Sequence, residues 1–459
     1  MRLAPLALAL VACGTPAPAK APGDKPAGPL AARIDGVTAP YVSSNNFTGV
    51  IRVSRGGQLL VERAYGLASY EHNVANTSNT RFHIASISKA FTAAAVFLLV
   101  ERGKLGLADP ITKILPDYPK GDTIKLEHLL AHTSGIPNLS GPDWDREERL
   151  VHTPSSLVKL FADKPLDFPP GTKSVYSNSN YNLLAAILEQ VTGRPYGELM
   201  RQLVFEPLEL RATHHHGDMA QAVANRAIGV EPDGINGIRF PRYIDWSGRT
   251  GSGSLVMTAS DLDRFVEALF GGRLVSPQSL QLILAPAEGI AFGWARGERD
   301  GRKQMRSGGR SPGFNTSIER YLDDGTTVIV LSNSYSPVAQ DEHFLSALHA
   351  AIFERPIPPA PVIAPLSVPN GALAEYAGKY QMPADYYVPD AIVTLADRGA
   401  YLTATFPNGA INTFYPVAKD ELLDRNFWAR VKMTRDAAGK ITGFDYALLQ
   451  GFKVKRLAQ

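Results

Sequence analysis

Ser86-Ile87-Ser88-Lys89 places a hydroxyl and an amine three residues apart in the stretch HIASISKAFTA. On a helix, positions i and i+3 share one face. Residues 87–100 (ISKAFTAAAVFLLV) are apolar nearly all round, which predicts a buried helix. Ser86 then sits at its N-terminus, where backbone N–H groups are free and the helix dipole favours negative charge. Lys89 follows one turn later in apolar surroundings. A lysine there must find polar partners or give up its proton, and a neutral or proton-sharing amine is what a serine nucleophile needs. The pair therefore points to acyl transfer. A second Ser-x-x-Lys, Ser156 to Lys159, follows Thr153-Pro154. It falls in the first turn of an ordinary amphipathic helix with Lys159 in solvent, so burial separates the two motifs.

Tyr176-Ser177-Asn178 lies just before a second helical stretch, residues 181–191. A phenol beside a lysine can be held as phenolate and act as a general base. Asn178 is placed to bind Lys89 or a substrate carbonyl. The same three residues also read as a turn with a capping asparagine and a core tyrosine. Farther on, Gly309-Arg310-Ser311-Pro312-Gly313 fits G-x-S-x-G, the nucleophile elbow of many hydrolases. The elbow needs a helix after the serine and an N–H on the next residue. Pro312 has no N–H, and FNTSIERYLDDG alternates like a strand and turn, so Ser311 is not the nucleophile. His214-His215-His216 has no supporting carboxylate or cysteine pattern and is expected in a loop without a metal. His132 is expected to cap a turn. No cofactor is expected.

The elements that must carry these groups mix both periods. VIRVSRGGQLLVERAYG (50–66) reads as a hairpin around Gly56-Gly57. Helices are expected over 87–100, 181–191, 258–269 (capped by Thr258 or Ser260) and 341–354, with a core strand at 326–333. Strands at both ends with helices between predict an α/β (α+β) body whose sheet joins N- and C-terminal segments around a helical insertion. The tail, 372–459, has short runs such as AIVTLA, AYLTATF and ARVKMTR between turn signals. It reads as a small all-β barrel or sandwich.

The 459 residues are enough for two or three domains. With 47 basic and 44 acidic residues, the net charge of +3 gives no reason to expect nucleic acid as a partner. The only cysteine, Cys13, excludes an intramolecular disulfide. It ends a stretch with Arg2 followed by apolar Leu3–Val11, too short to span a bilayer. Leu10-Val11-Ala12-Cys13 resembles a bacterial lipobox, in which the cysteine carries the lipid. Residues 1–13 are thus expected to be a targeting segment, 14–32 a disordered tether, 33–354 the body and 355–371 a Pro-rich linker to the tail. The expected location is the cell envelope or periplasm, anchored through Cys13.

Together, FTGVIRVSRGGQLLVERAYG, RFHIASISKAFTA, LEHLLAHTSGIPN, PPGTKSVYSNSNYNLL, GSGSLVMTASDLDRF and SPGF…TVIVLSN resemble the serine hydrolases of the class C β-lactamase, penicillin-binding protein and esterase group. The resemblance covers most of residues 45–354. It implies an antiparallel sheet with flanking helices and an all-helical subdomain, the active site lying between them. In the tail, LAEYAGKY and RDAAGKITGF resemble the β-barrel appendage of some members. Carried over, Ser86 is acylated, Lys89 and Tyr176 share the base role, and Asn178 contacts the lysine or substrate. The family's third motif, K-T-G or H-x-G before a Pro-Gly turn, supplies a cleft wall and the second oxyanion N–H. Counting back from Pro312-Gly313-Phe314 puts it at Ser307-Gly308-Gly309, with Arg310 as donor. One extra loop residue would make it Arg306-Ser307-Gly308, with Gly309 as donor. The first register matches Met305 to an apolar strand position. In both, the family's Lys or His is missing. Arg306 and Arg310 are candidates to replace its charge, although guanidinium and ammonium are not interchangeable. The implied function is a serine hydrolase cleaving an ester or small amide of a small-molecule or peptide substrate. The alternatives are a β-lactamase or D-amino-acid peptidase, and a catalytically weak envelope binding protein. The oligomeric state stays open.

Overall fold

The structure is a computed structural model that describes residues 28–285, 290–359, 365–386, 388, 390–407, 409–447 and 451–457. Cys13, the targeting segment and most of the tether lie outside the described residues, as do parts of the Pro-rich linker. The last residues expected in the tether, 29–32, form the first turn of helix α1 (Pro29–Ser43). Pro29 suits a first helical position, and Ala31 and Ile34 are buried.

A seven-stranded sheet organises the body. Its strands in chain order are β1 (Gly49–Arg55), β2 (Gln58–Tyr65), β3 (Ile290–Ala291), β4 (Trp294–Arg299), β5 (Arg302–Ser311), β6 (Phe314–Tyr321) and β7 (Thr326–Ser332). Their spatial order is β3-β4-β5-β6-β7-β1-β2. The adjacent pairs are antiparallel. The N-terminal hairpin thus joins the C-terminal strands, as the sequence predicts.

Helices cover both faces, which is why β6 and β7 are buried along their whole length. On one face lie α2 (Ser88–Glu101) and α4 (Ala259–Phe270), packed on Val50, Ile318, Ile329 and Leu331. On the other lie α1 and α5 (Glu342–Ile352), packed on Ile51, Val53, Val328 and Val330. Thr258 caps α4 through Asp261 N, one of the two expected caps. Between β2 and β3 the chain inserts a helical layer with α3 (Asn178–Thr192) at its centre. Helix α3 ends at Gly193, whose φ of 67° is the left-handed stop of many helices. Pro154–Lys159 is the expected second Ser-x-x-Lys helix, capped by Thr153, with Lys159 exposed.

The tail is a closed eight-stranded barrel rather than a sandwich, running from β8 (Gly378–Gln381) to β15 (Phe452–Arg456). It has its own apolar core around Tyr380, Leu402, Phe414, Val431 and Phe444. Within it, β12 (Glu421–Asp424) and β13 (Ala429–Arg435) are joined by a loop that reaches the body. Arg425 of that loop is fully buried. Its guanidinium donates to Asp233 O at 2.9 Å, Gly234 O at 2.8 Å, Gly237 O at 2.7 Å and Ser44 O at 3.0 Å. One arginine thereby satisfies four main-chain carbonyls of the body.

Candidate active site

The turn into α2 is made by a left-handed residue. Ala85, fully buried, has φ 47°, a conformation that costs a residue with a Cβ about 1–3 kcal/mol. It leads into a short 3-10 turn, Ala85–Ile87, that continues into α2. Ser86 therefore sits just ahead of α2, half-buried, with Lys89 one turn on at 1% exposure.

Lys89 Nζ makes three contacts: Asn178 Oδ1 at 2.8 Å, Ser252 O at 2.7 Å and Ser86 Oγ at 3.2 Å. Burial, and secondarily the charge of Arg249, hold its pKa well below the ordinary lysine value. A neutral amine has two N–H bonds and one lone pair. Asn178 and Ser252 take the two N–H groups, which leaves the lone pair for the Ser86 hydroxyl. Tyr176 OH lies 2.8 Å from Ser86 Oγ and 3.4 Å from Asn178 Oδ1. Desolvation pushes the phenol up to about 12, against its hydrogen bond with Ser86 and the charge of Arg249. The two shifts favour neutral Lys89 as proton acceptor and protonated Tyr176 as donor to Ser86 Oγ, rather than a phenolate base. The four residues singled out in the sequence come together in one hydrogen-bonded group.

Two further features support this group. The first is the main chain at Thr250–Ser252, held by Asn182 Nδ2 on Thr250 O at 2.7 Å and Thr92 Oγ1 on Gly251 O at 2.7 Å. Gly251 has φ 78°, and a Cβ there would lie 2.2 Å from Tyr181 O. Only glycine lets this segment approach closely enough for Ser252 O to receive Lys89. The second is His132. Its Nδ1 accepts from Ser177 N at 3.2 Å, a bond to the distant turn that carries Tyr176 rather than a cap of its own loop, and its ring stands 4.6 Å from that of Tyr176. Burial and Lys89 bring its pKa down to about 3, so it is neutral.

The third motif lies along β5. Gly309 packs on the nucleophile turn so closely that a Cβ would lie 2.1 Å from Ile84 O and 3.0 Å from Ala85 Cβ. Ser307 Oγ donates to Gly293 O at 2.8 Å, and Gly293 itself sits against Lys89 and Ala90. Ser307, Gly309 and the buried Met305 thus face α2, which fits the register Ser307-Gly308-Gly309. Side chains alternate along a strand, so Arg306, Gly308 and Arg310 face the other side. Gly308 abuts Gln340, and the Arg310 guanidinium donates to Tyr335 O and to Asn426 O of the barrel. The Arg310 guanidinium, taken up by Tyr335 O and Asn426 O, does not replace the missing charge beside Ser86, whereas the exposed Arg306 borders the same cleft. The guanidinium whose charge bears on Lys89 and Tyr176 belongs to Arg249, which the sequence reading missed. It ends the short helix Trp246–Arg249 and donates to the fully buried Glu148 at 2.6 Å.

The backbone of β5 is aimed by its hairpin. Pro312-Gly313 joins the pair Ser311↔Phe314, and the ladder alternates from there. The even-numbered residues turn their N–H toward the edge where β4 pairs only as far as Arg306. Arg310 N–H therefore opens on the cleft next to Ser86. The cleft, of about 860 Å³, is lined by Ser86, Lys89, Tyr176, Asn178, Arg249 and Ser307 among others. An acyl group seated there would meet a nucleophile, a base and two main-chain donors, from Ser86 and Arg310.

A family model described as Beta-lactamase matches residues 34–351. The chain belongs to the Beta-lactamase family. Penicillin-binding protein 4* of Bacillus subtilis (strain 168) is 30% identical to this family member over 366 residues, 73% of this chain and 80% of that protein. Teichoic acid D-alanine hydrolase of Staphylococcus aureus is 28% identical over 246 residues, 53% of this chain and 59% of that protein. The crystal structure of D-amino acid amidase from Ochrobactrum anthropi SV3 superposes with a TM-score of 0.64 at 23% identity, over 71% of this chain and 99% of the other. This Beta-lactamase family member is a serine hydrolase.

His214–His215 is a short strand, not the expected loop, paired with Leu255–Met257. The three histidines diverge: His214 faces Arg81, His215 bonds Ser254 Oγ, and His216 faces His83. Among the described residues no cluster of three or more His, Cys, Asp or Glu could hold a metal ion.

Arg249 also makes a prediction. A positive neighbour favours the neutral amine, so removing it raises the pKa of Lys89. In Arg249→Gln the acid limb of the kcat/KM profile is expected to move to higher pH, which pH–rate measurement on a chromogenic ester checks.

Proposed function

We propose that the protein is a cell-envelope hydrolase that is acylated at Ser86 and cleaves an ester or small amide. The observation that carries this reading is the position of Ser86 Oγ between the depressed amine of Lys89 and the hydroxyl of Tyr176. Ser86 attacks the substrate carbonyl as its proton passes to Lys89 Nζ. The oxyanion is held by the N–H groups of Ser86 and Arg310. The proton on Lys89 then goes to the leaving group, with Tyr176 as the hydroxyl nearest Ser86 Oγ. Water entering the vacated side repeats the sequence with Lys89 as base and frees the acyl group.

The third motif favours esters and small amides over β-lactams. Where the family carries a lysine or histidine, Ser307 spends its hydroxyl on Gly293 O, and Arg249 is bound to Glu148. A β-lactam carboxylate would lack the partner that such a motif provides. D-amino-acid derivatives are part of the proposed range, supported by the D-alanine and D-amino acid named for two similar proteins. Anchoring through Cys13 is supported by the order Arg2, apolar stretch, Cys13. No helix of the described residues is long and apolar enough to cross a membrane.

Steady-state kinetics on p-nitrophenyl acetate, D-alanine p-nitroanilide and nitrocefin tests the substrate class. The ester or anilide is expected to turn over and nitrocefin to be poor by about 10²-fold or more in kcat/KM. Nitrocefin turnover equal to the best of the others would contradict the ester or amide assignment.

A further inference from the structure

Arg310 has its backbone at the cleft and its side chain on the barrel. The guanidinium lies across the sheet from Ser86, between two aromatic rings: Tyr335 at 4.0 Å and Phe427 at 4.5 Å from the ring centroids. It donates to Tyr335 O at 3.3 Å and Asn426 O at 3.2 Å, while Nε is buried without an acceptor. The two π faces take the place of the missing acceptor.

Asn426 and Phe427 belong to the loop between β12 and β13, and that loop is firmly held. Asp424 accepts from Asn426 N at 2.8 Å, from Asn412 Nδ2 at 2.9 Å and from Tyr446 OH at 2.5 Å. Asn426 Oδ1 accepts from Thr413 N at 3.0 Å. Arg425 is locked onto the body's carbonyls, and Trp428 stands edge-on to Tyr41 at 5.6 Å.

We propose that the barrel is a positioning element for acyl transfer: its 425–428 loop grips the Arg310 side chain and so sets the place of the Arg310 N–H beside Ser86. This rests on the hydrolase reading above. Arg310 is the last residue but one before the Pro312-Gly313 turn, and its N–H lies on the unpaired edge of β5. The peptide that carries this N–H is held at its other end, where Gly309 O accepts from Gln340 Nε2 at 2.9 Å, and the Arg310 side chain adds a second anchor from the barrel. An error of about 1 Å in a reacting group can cost about 10²-fold in rate, and a loosened donor falls short of that. Arg310 and Phe427 act through the main-chain N–H and are positioning residues.

The test uses the full-length protein. Phe427→Ala is expected to speed amide hydrogen exchange across residues 307–316. It is also expected to slow acylation by p-nitrophenyl acetate about tenfold, with KM within about twofold and the pH profile in place, because Lys89 and Tyr176 are untouched. Arg310→Ala keeps the N–H and is expected to match it, whereas Phe427→Tyr, which keeps the ring, restores the wild-type rate. Titration of active sites separates a slower site from a loss of folded protein. Unchanged exchange in Phe427→Ala overturns the proposal, whether or not the protein acylates. Faster exchange with wild-type acylation in both alanine variants overturns the link to catalysis. A wild-type protein that does not acylate counts against the hydrolase reading instead, and the exchange result then decides the grip on its own.

Discussion

Lys89→Met is expected to lower acylation of Ser86 about 10⁴-fold, the upper range for a general base, while the fold survives. Methionine fills similar volume with no polar atom, and 11 of the 14 residues of α2, Lys89 included, are buried. Asn178 Oδ1 and Ser252 O each lose one donor, which limits any gain. The pH dependence of stability adds a second signature. Lys89 keeps its ordinary pKa in the unfolded chain and a depressed one in the folded chain, so folding releases a proton. Between the two values the unfolded state binds more protons, and wild-type stability rises with pH. In Lys89→Met that rise is missing. Urea unfolding at several pH values, with burst kinetics on a chromogenic ester, measures both effects. A variant that still acylates within about tenfold of wild type would remove Lys89 from the base role.

Gly309→Ala is expected to slow acylation about 10²-fold, the size of a lost oxyanion donor. It is also expected to destabilise by about 1–3 kcal/mol. The added methyl would meet backbone rather than a flexible side chain: Ile84 O at 2.1 Å, with Thr316 Oγ1 at 2.6 Å and Ala85 Cβ at 3.0 Å. The strand must lift from the turn that holds Ser86, and the Arg310 N–H lifts with it. Gly308 is the internal control. A Cβ there would meet the end of the Gln340 side chain, at 3.0 Å, rather than backbone, and moving it weakens the Gln340 Nε2 bonds to Gly309 O and Thr316 O. Gly308→Ala is therefore expected to lose about tenfold less rate than Gly309→Ala. Equal losses at both positions would mean that the glycines serve the strand rather than the site. Stopped-flow acylation and thermal melts of the two variants distinguish these cases.

Much of the site was legible because its signals are local. An amine inside an apolar helix at i+3 from a serine announces itself through the burial that the pattern implies. The Tyr176-Ser177-Asn178 turn stands directly ahead of a helix with a clear period. Pro312 excluded Ser311 through the absence of a single N–H, and Ser311 indeed ends β5. What was missed depends on contacts between distant segments. Arg249 lies in SGRTGSGS, where nothing marks a charge that will stand beside a lysine 160 positions earlier. Ser252 contributes a carbonyl, which no side-chain pattern can show. The direction of Arg306 and Arg310 was available from strand alternation once Ser307 is taken to face the cleft. Both share the parity of Gly308, which sends Arg310 to the barrel, while Arg306 at the open edge of β5 still borders the cleft. The choice of barrel over sandwich rests on whether β8 and β15 meet, a long-range pairing of Tyr380 with Arg456.

Locating the acyl group is the most direct test of the central claim. The full-length protein is mixed briefly with p-nitrophenyl acetate, quenched in acid and digested, and the acylated peptide is sequenced by mass spectrometry beside Ser86→Ala. The account predicts one acetyl group, on Ser86, that is absent from the variant. An acetyl group on Ser311 or another residue, surviving in Ser86→Ala, would contradict it.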